Sequence, residues 1–75
     1  MITLADLKKG QKAFIRSFAN DALGSRLLEM GCLPGESFSI SRKAPLGCPL
    51  AIHIAGYELS LRREEAASIF VEVIA

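Results

Sequence analysis

Three side chains in this 75-residue chain could act as nucleophiles or metal ligands: Cys32, Cys48 and His53. A catalytic thiol needs a neighbouring base and a third group that orients the base. A structural zinc site needs four ligands, so two cysteines and one histidine fall short unless carboxylates join them. No phosphate-binding glycine loop, CxxC pair or acid/base carboxylate pair is present. The sequence therefore predicts no active site, and we expect a protein that is not an enzyme.

The surroundings of the three residues differ. Cys32 follows a glycine at the end of a predicted helix and is predicted to be a small core residue. Cys48 lies in a proline-rich loop and is the better candidate for a reactive thiol, with a loop thiol of no role as the alternative. His53 is predicted on the solvent face of a hairpin. We expect no tightly bound cofactor, and at most weak binding of ferrous iron by Cys48 with His53 if the loop folds over the strand.

Composition restricts the class of protein. A net charge of +1 argues against a nucleic-acid-binding protein, which usually carries a strong basic excess. With 51% hydrophobic residues and no apolar run of about 18 residues, the chain has a globular composition without a membrane span. The first residues do not resemble a signal peptide. We therefore expect one cytoplasmic domain over residues 1–75, with both thiols free.

The elements that position these residues meet at a corner over residues 26–35. A helix is predicted over about residues 20–30, with Asn20 as its N-cap and a stripe of leucines facing inward. Gly31 is expected to have a positive φ, because a helix commonly ends on a left-handed residue. Pro34 and Gly35 suit the central positions of a type II turn, from which the next strand begins.

The remaining segments alternate at the period of a strand. Strands are predicted over residues 12–18, 36–43 and 69–74, with a hairpin over residues 50–62. Single helical turns are predicted at residues 3–7 and 63–67. Short antiparallel strands in so small a chain close best as a curled barrel. The predicted fold class is mostly β, a small SH3-like antiparallel barrel with one inserted helix.

The hairpin is predicted to turn at Gly56 and Tyr57, with glycine first as a type II′ turn requires. That turn pairs Ile54 with Leu59 and Ile52 with Leu61 on the inner face. The inward residues of the last strand are expected to be Ile69, Val71 and Val73. The residues singled out for the core are Leu28, Ile40, Ile54 and Leu61.

Two leucines, a proline and a tyrosine lie on predicted loops and turns: Leu33, Leu46, Pro49 and Tyr57. The barrel does not obviously need them, so they are the candidates for a surface that binds a protein partner. For Leu46 there is an alternative, in which the side chain folds back and closes one end of the barrel.

Three motifs resemble the FeoA family: LLEMGCLPG at residues 27–35, APLGCP at 44–49 and GYELSLR at 56–62. The resemblance implies an SH3-like barrel and a small cytosolic accessory of FeoB, the membrane ferrous iron permease with a cytosolic GTP-binding domain. The family loop usually has aspartate where this chain has Cys48, which removes an oxygen that could order the loop or bind a hard metal. No catalytic residue or metal ligand carries over.

The leading hypothesis is a non-enzymatic module that docks on an FeoB-like transporter. The alternative is an SH3-like domain that itself binds a transition metal ion, as a sensor or carrier; a thiol enzyme is the third reading.

Overall fold

The structure, a computed structural model, describes residues 2–46 and 48–74. Gly47, at the centre of the predicted proline-rich loop, lies outside the described residues, as do Met1 and Ala75. The centre of the fold is one five-stranded antiparallel sheet. Its strands are β1 (Lys12–Phe18), β2 (Ser37–Lys43), β3 (Leu50–Ile54), β4 (Tyr57–Leu61) and β5 (Ile69–Val73).

The strand order across the sheet is β4-β3-β2-β1-β5, which leaves β4 and β5 at the edges. The register shifts between Ile15 and Ser17 where β1 pairs with β5, and between Ile40 and Arg42 where β2 pairs with β3. Such bulges bend a strand and increase its twist. They curl the sheet around a core of buried aliphatic side chains that includes Ile15, Ile40, Ile52, Ile54 and Ile69.

The helix α1 (Asp21–Glu29) connects β1 to β2. Asn20 caps it as predicted, because its side-chain oxygen accepts a hydrogen bond of 2.7 Å from the Leu23 N–H. Only one side of the helix is buried, and it contains Leu23, Gly24 and Leu27.

Leu28 was expected in the core, and that prediction is wrong: 45% of its surface is exposed. At 100° per residue, Leu28 lies to one side of the stripe formed by Leu23 and Leu27. Met30 follows the last helical residue as the C-cap and is also exposed. The buried face of α1 is therefore narrower than its apolar composition indicates.

A 3₁₀ turn (Leu4–Asp6) precedes β1, and α2 (Arg63–Ala66) links β4 to β5. Lys43 holds the 3₁₀ turn to the end of β2, since its ammonium donates to the backbone carbonyls of Ala5 (3.0 Å) and Leu7 (2.9 Å). Both short helical segments were predicted. Val73, in contrast, was expected to face inward, but at the end of β5 it is partly exposed.

The hairpin register differs from the predicted one. The turn residues are Ala55 and Gly56, both with positive φ (51° and 84°), so that Ile54 pairs with Tyr57 and Ile52 with Leu59. Two positive φ values are the signature of a type I′ turn, whereas the prediction assumed type II′. Because the pairing moves by two residues, the inward and outward faces are unchanged, and Ile54 and Leu61 remain in the core.

Candidate docking surface

The corner after α1 has the predicted geometry. The N–H of Cys32 donates to the Leu27 carbonyl (2.9 Å), and Gly31 has a φ of 86°. Gly35 has a φ of 90°, and the Glu36 N–H donates to the Leu33 carbonyl (3.0 Å), which closes the type II turn. Leu33 therefore stands at the entry of a well-ordered turn, with 45% of its surface exposed.

Tyr57 packs against this corner from the hairpin side. A Cβ placed on Gly31 would lie 3.6 Å from the Tyr57 hydroxyl and 3.8 Å from the Ala55 methyl group. Tyr57 nevertheless keeps 37% of its surface exposed. The structure thus brings two of the four predicted docking residues, Leu33 and Tyr57, to the same end of the sheet.

The thiol beneath this corner is buried. Cys32 belongs to the core, as predicted, and its burial raises the pKa of the thiol, with the charge of Glu36 acting in the same direction. Desolvation also raises the pKa of the Tyr57 hydroxyl, and the neighbouring Cys32 raises it further. Both groups therefore stay protonated at neutral pH, and the corner carries no activated nucleophile.

The other two docking candidates, Leu46 and Pro49, lie on the loop between β2 and β3. The N–H of Ala44 donates to the Pro49 carbonyl (3.2 Å), and the Arg63 guanidinium donates to the Leu46 carbonyl (3.4 Å). The loop therefore leans toward the start of α2. The Leu46 side chain is 83% exposed, which excludes the alternative in which it closes the barrel.

The four candidates form two separate groups. Leu46 and Pro49 lie near the pair of Leu50 with Leu61. Tyr57 pairs with Ile54 at the other end of β4, beside the corner that carries Leu33. Four residue steps at about 3.4 Å each separate these ends by roughly 14 Å. A single side chain of a partner cannot contact both groups.

Cys48 and His53, the two metal candidates, are also apart. Both are exposed, but Cys48 precedes β3, while His53 is its fourth residue and lies between Ser39 and Glu58 on the neighbouring strands. The loop leans toward α2 and not over His53. Across residues 2–46 and 48–74, no three His, Cys, Asp or Glu side chains converge as metal ligands would.

A cleft of about 520 Å³ between α1 and α2 was not predicted. Arg26 on α1 forms an ion pair with Glu65 on α2 at this cleft. The same carboxylate accepts a 2.8 Å hydrogen bond from the Arg62 N–H through its other oxygen. One oxygen of Glu65 thus links α2 to α1, and the other caps the first turn of α2. No sequence pattern marks this pair, because it depends on how the helices meet.

Comparison with known proteins assigns the family. The model of the FeoA domain family matches residues 2–73. The chain belongs to the FeoA domain family. The three motifs that carry the predicted resemblance all fall within the matched region, and the prediction is confirmed.

Solved structures of FeoA proteins share the fold. The solution structure of FeoA from Chlorobium tepidum is 36% identical and superimposes with a TM-score of 0.90 over 99% of this chain and 71% of that one. FeoA from Stenotrophomonas maltophilia, a prokaryotic SH3 domain protein crystallised with zinc, is 32% identical with a TM-score of 0.81 over 96% and 91% of the two chains. The predicted SH3-like fold class is confirmed.

One relative combines the domain with a transporter. A protein of Porphyromonas gingivalis, a fusion of Fe(2+) transport protein A with the Fe(2+) transporter FeoB, is 40% identical over 72 residues. The match covers 95% of this chain and 8% of the fusion protein. Within the part that the structure describes, neither helix of the FeoA domain has the length and hydrophobicity of a membrane span.

Proposed function

We propose that this FeoA domain is a non-enzymatic accessory of bacterial ferrous iron uptake, and that it acts in the cytoplasm by docking on an FeoB-type membrane transporter. The observation that carries the proposal is the Porphyromonas gingivalis fusion, in which a domain 40% identical to this one is joined to FeoB. Fusing two modules raises the concentration of each at the other, which favours modules that act in contact.

The surface of the domain supports docking. Leu33, Leu46 and Tyr57 are exposed although the core does not need them. Leu33 and Tyr57 are held by backbone hydrogen bonds and the Leu46 carbonyl by the Arg63 side chain, so binding a partner would order few additional groups. Exposed apolar side chains that lie together mark protein-binding surfaces, and Leu33 and Tyr57 lie at the same end of the sheet.

The direct test is binding to the full-length FeoB-type transporter of the same organism, purified in detergent. We expect saturable binding by biolayer interferometry, and a strain lacking the FeoA domain should take up ferrous iron more slowly until the domain is restored. Absence of binding, together with unchanged uptake in the deletion strain, would contradict the proposal.

The alternative, a metal-binding domain, is motivated by the Stenotrophomonas maltophilia FeoA that was crystallised with zinc. Here the donors do not fit such a site, since Cys48 and His53 lie apart along β3 and its preceding loop. We expect anaerobic isothermal titration with ferrous iron to detect no micromolar site. A stoichiometric site that Cys48→Ser or His53→Ala abolishes would favour the alternative instead.

A further inference from the structure

Within the described part of the chain, the strand β4 has one side without a partner strand. It pairs with β3 across its full length, from Ile54 with Tyr57 to Leu50 with Leu61, and with no other described strand. The edge at β5 differs, because the Val71 N–H donates to the Ile2 carbonyl (3.0 Å) and Thr3 bridges to Phe70. The N-terminal residues thus cover one sheet edge and leave the other open.

The type I′ turn determines which backbone groups of β4 face outward. The two residues that flank a two-residue turn exchange both of their hydrogen bonds. Along the hairpin, such hydrogen-bonded pairs alternate with pairs that are not hydrogen-bonded to each other. Tyr57, Leu59 and Leu61 therefore bond to β3, whereas the N–H and C=O of Glu58 and Ser60 point away from it. Across residues 2–46 and 48–74, no hydrogen bond to a backbone group of Glu58 or Ser60 satisfies these outward positions.

This edge also lacks common means of preventing strand addition. Natural edge strands are protected by proline, bulges, inward-pointing charges or short length. β4 contains no proline, and its pairing with β3 shows no register shift. Its one charged side chain, Glu58, is already paired with Arg42 (3.3 Å) and accepts a hydrogen bond from Ser41 (3.0 Å).

The ends of β4 coincide with the two groups of docking residues. At the beginning of β4 the Tyr57 ring lies over the corner that carries Leu33. Directly after its end, Arg63 holds the Leu46 carbonyl. The edge of β4 is therefore the element that joins the two groups across the roughly 14 Å between them.

We propose that an extended segment of the FeoB-type transporter binds this domain by adding to β4 as a sixth, antiparallel strand; this inference rests on the proposed function. Unpaired N–H and C=O groups at strand spacing recognise the main chain of a polypeptide, and the side chains at each end then select the sequence. The segment is about five residues long, with one apolar side chain at each end, one on Leu46 and one on Tyr57.

The charged residues that follow β4 indicate a further property of the bound segment. Arg62 and Arg63 follow β4 directly and are exposed, while Glu58 is neutralised by Arg42. An antiparallel segment begins beside the end of β4, so its N-terminal end lies next to these arginines. An acidic residue next to the apolar side chain at that end of the segment would complement them.

The test measures binding to the full-length transporter in detergent by a matched pair of variants. Ser60→Pro removes an outward N–H without removing a bond to β3, and an edge strand tolerates proline on that side. Ser60→Ala keeps the N–H and is the control. We expect Ser60→Pro to weaken binding about tenfold or more, because it loses one hydrogen bond to the segment and adds a steric clash. Ser60→Ala should bind like the original domain.

Amide hydrogen exchange provides a second readout that needs no variant. In the free domain, the amides of Glu58 and Ser60 should exchange faster than those of Leu59 and Leu61. Addition of the transporter should slow the exchange of Glu58 and Ser60 selectively. If Ser60→Pro fails to fold, this pattern of protection decides the question.

The possible outcomes separate this inference from the proposed function. Equal binding by all three proteins, with no protection of Glu58 and Ser60, overturns the strand addition and leaves docking elsewhere on the surface. Failure of the unmodified domain to bind overturns the inference, and together with unchanged uptake in the deletion strain it overturns the proposed function as well. Protection that grows with the concentration of the domain alone would show that β4 pairs with a second copy, which also overturns the inference.

Discussion

The hydroxyl of Tyr57 lies 3.6 Å from the position that a Cβ on Gly31 would occupy, so the hairpin and the corner after α1 meet at a glycine. That distance is an ordinary van der Waals contact and would admit a methyl group. What disfavours a side chain at residue 31 is the backbone, since a φ of 86° is one that residues with a Cβ rarely adopt.

We therefore predict that Gly31→Val lowers the free energy of unfolding by about 1 kcal/mol or more, because a β-branched residue is strained at positive φ. Gly31→Asn is the matched control, since asparagine tolerates this conformation better and should cost less. Urea titration followed by circular dichroism measures both. Equal stability of Gly31→Val and the unmodified domain would show that the corner does not depend on glycine.

The core and the outer side of α1 should respond differently to truncation. Ile54 is buried, so Ile54→Ala should cost about 2–5 kcal/mol through lost burial and the cavity left behind. Leu28→Ala should cost less than about 1 kcal/mol, because the side chain is half exposed. Thermal unfolding of the two variants compares them directly, and a loss at Leu28 as large as that at Ile54 would contradict the exposed position.

Asp6 should give the domain a pH-dependent contribution to stability. Its carboxylate accepts hydrogen bonds from the Thr3 N–H (2.9 Å) and hydroxyl (3.2 Å), and these bonds lower the pKa of Asp6. A lowered pKa in the folded state stabilises the domain above the ordinary aspartate pKa of about 3.9, and this stabilisation is lost as the pH falls through the lowered value.

Asp6→Asn, which cannot ionise, should therefore have a lower melting temperature than the unmodified domain at pH 7. The difference should shrink as the pH is lowered below about 4. Calorimetric scans from pH 7 to pH 2 measure the trend. A difference that stays constant over this range would mean that the Asp6 charge makes no contribution.

The two thiols should react at very different rates. Cys48 is exposed and Cys32 is buried with a raised thiol pKa, so iodoacetamide at neutral pH should modify Cys48 first. Cys32 should react only when denaturant unfolds the domain. Mass spectrometry of timed samples, with Cys48→Ser as the control, follows each thiol separately. Rapid modification of Cys32 in the native domain would contradict its burial.

Leu46 provides the prediction on the docking surface. Because the side chain is 83% exposed, Leu46→Ser should leave the melting temperature nearly unchanged. It should nevertheless weaken binding to the FeoB-type transporter and slow ferrous iron uptake in cells. The control is Phe14→Ser, which removes an exposed apolar side chain elsewhere on the surface, on β1. It should neither weaken binding to the transporter nor slow iron uptake. Reduced uptake that follows only a reduced amount of the protein would contradict a docking role for Leu46.

Local patterns were sufficient for much of the fold. The bounds of β1, the Asn20 cap and the type II turn at Pro34 and Gly35 were predicted because each depends on neighbouring residues alone. The hairpin register was missed because Ala55 adopts a positive φ that its residue type does not favour. Leu28 was misplaced because the sheet buries only a narrow stripe of α1, and sequence periodicity does not specify the width of that stripe.

The candidate surface was predictable only in part. Sequence patterns marked Leu33, Leu46, Pro49 and Tyr57 individually as exposed apolar residues on turns and loops. Their division into two groups follows from the placement of the corner against the hairpin and of the loop against α2, which are tertiary contacts. The open edge of β4 likewise depends on the strand order, and the residues of β4 alone do not reveal it.

The pairing of β1 with β5 bears on how the chain folds. Ala13 lies opposite Val73, so strands from near the two ends of the chain must meet before the sheet is complete. Contacts between distant parts of a chain form only after a large loop has closed, which slows folding to the range of milliseconds to seconds for small β domains. Until that closure, β1 exposes its unpaired side to other molecules, and crowded or concentrated solutions should favour aggregation during refolding.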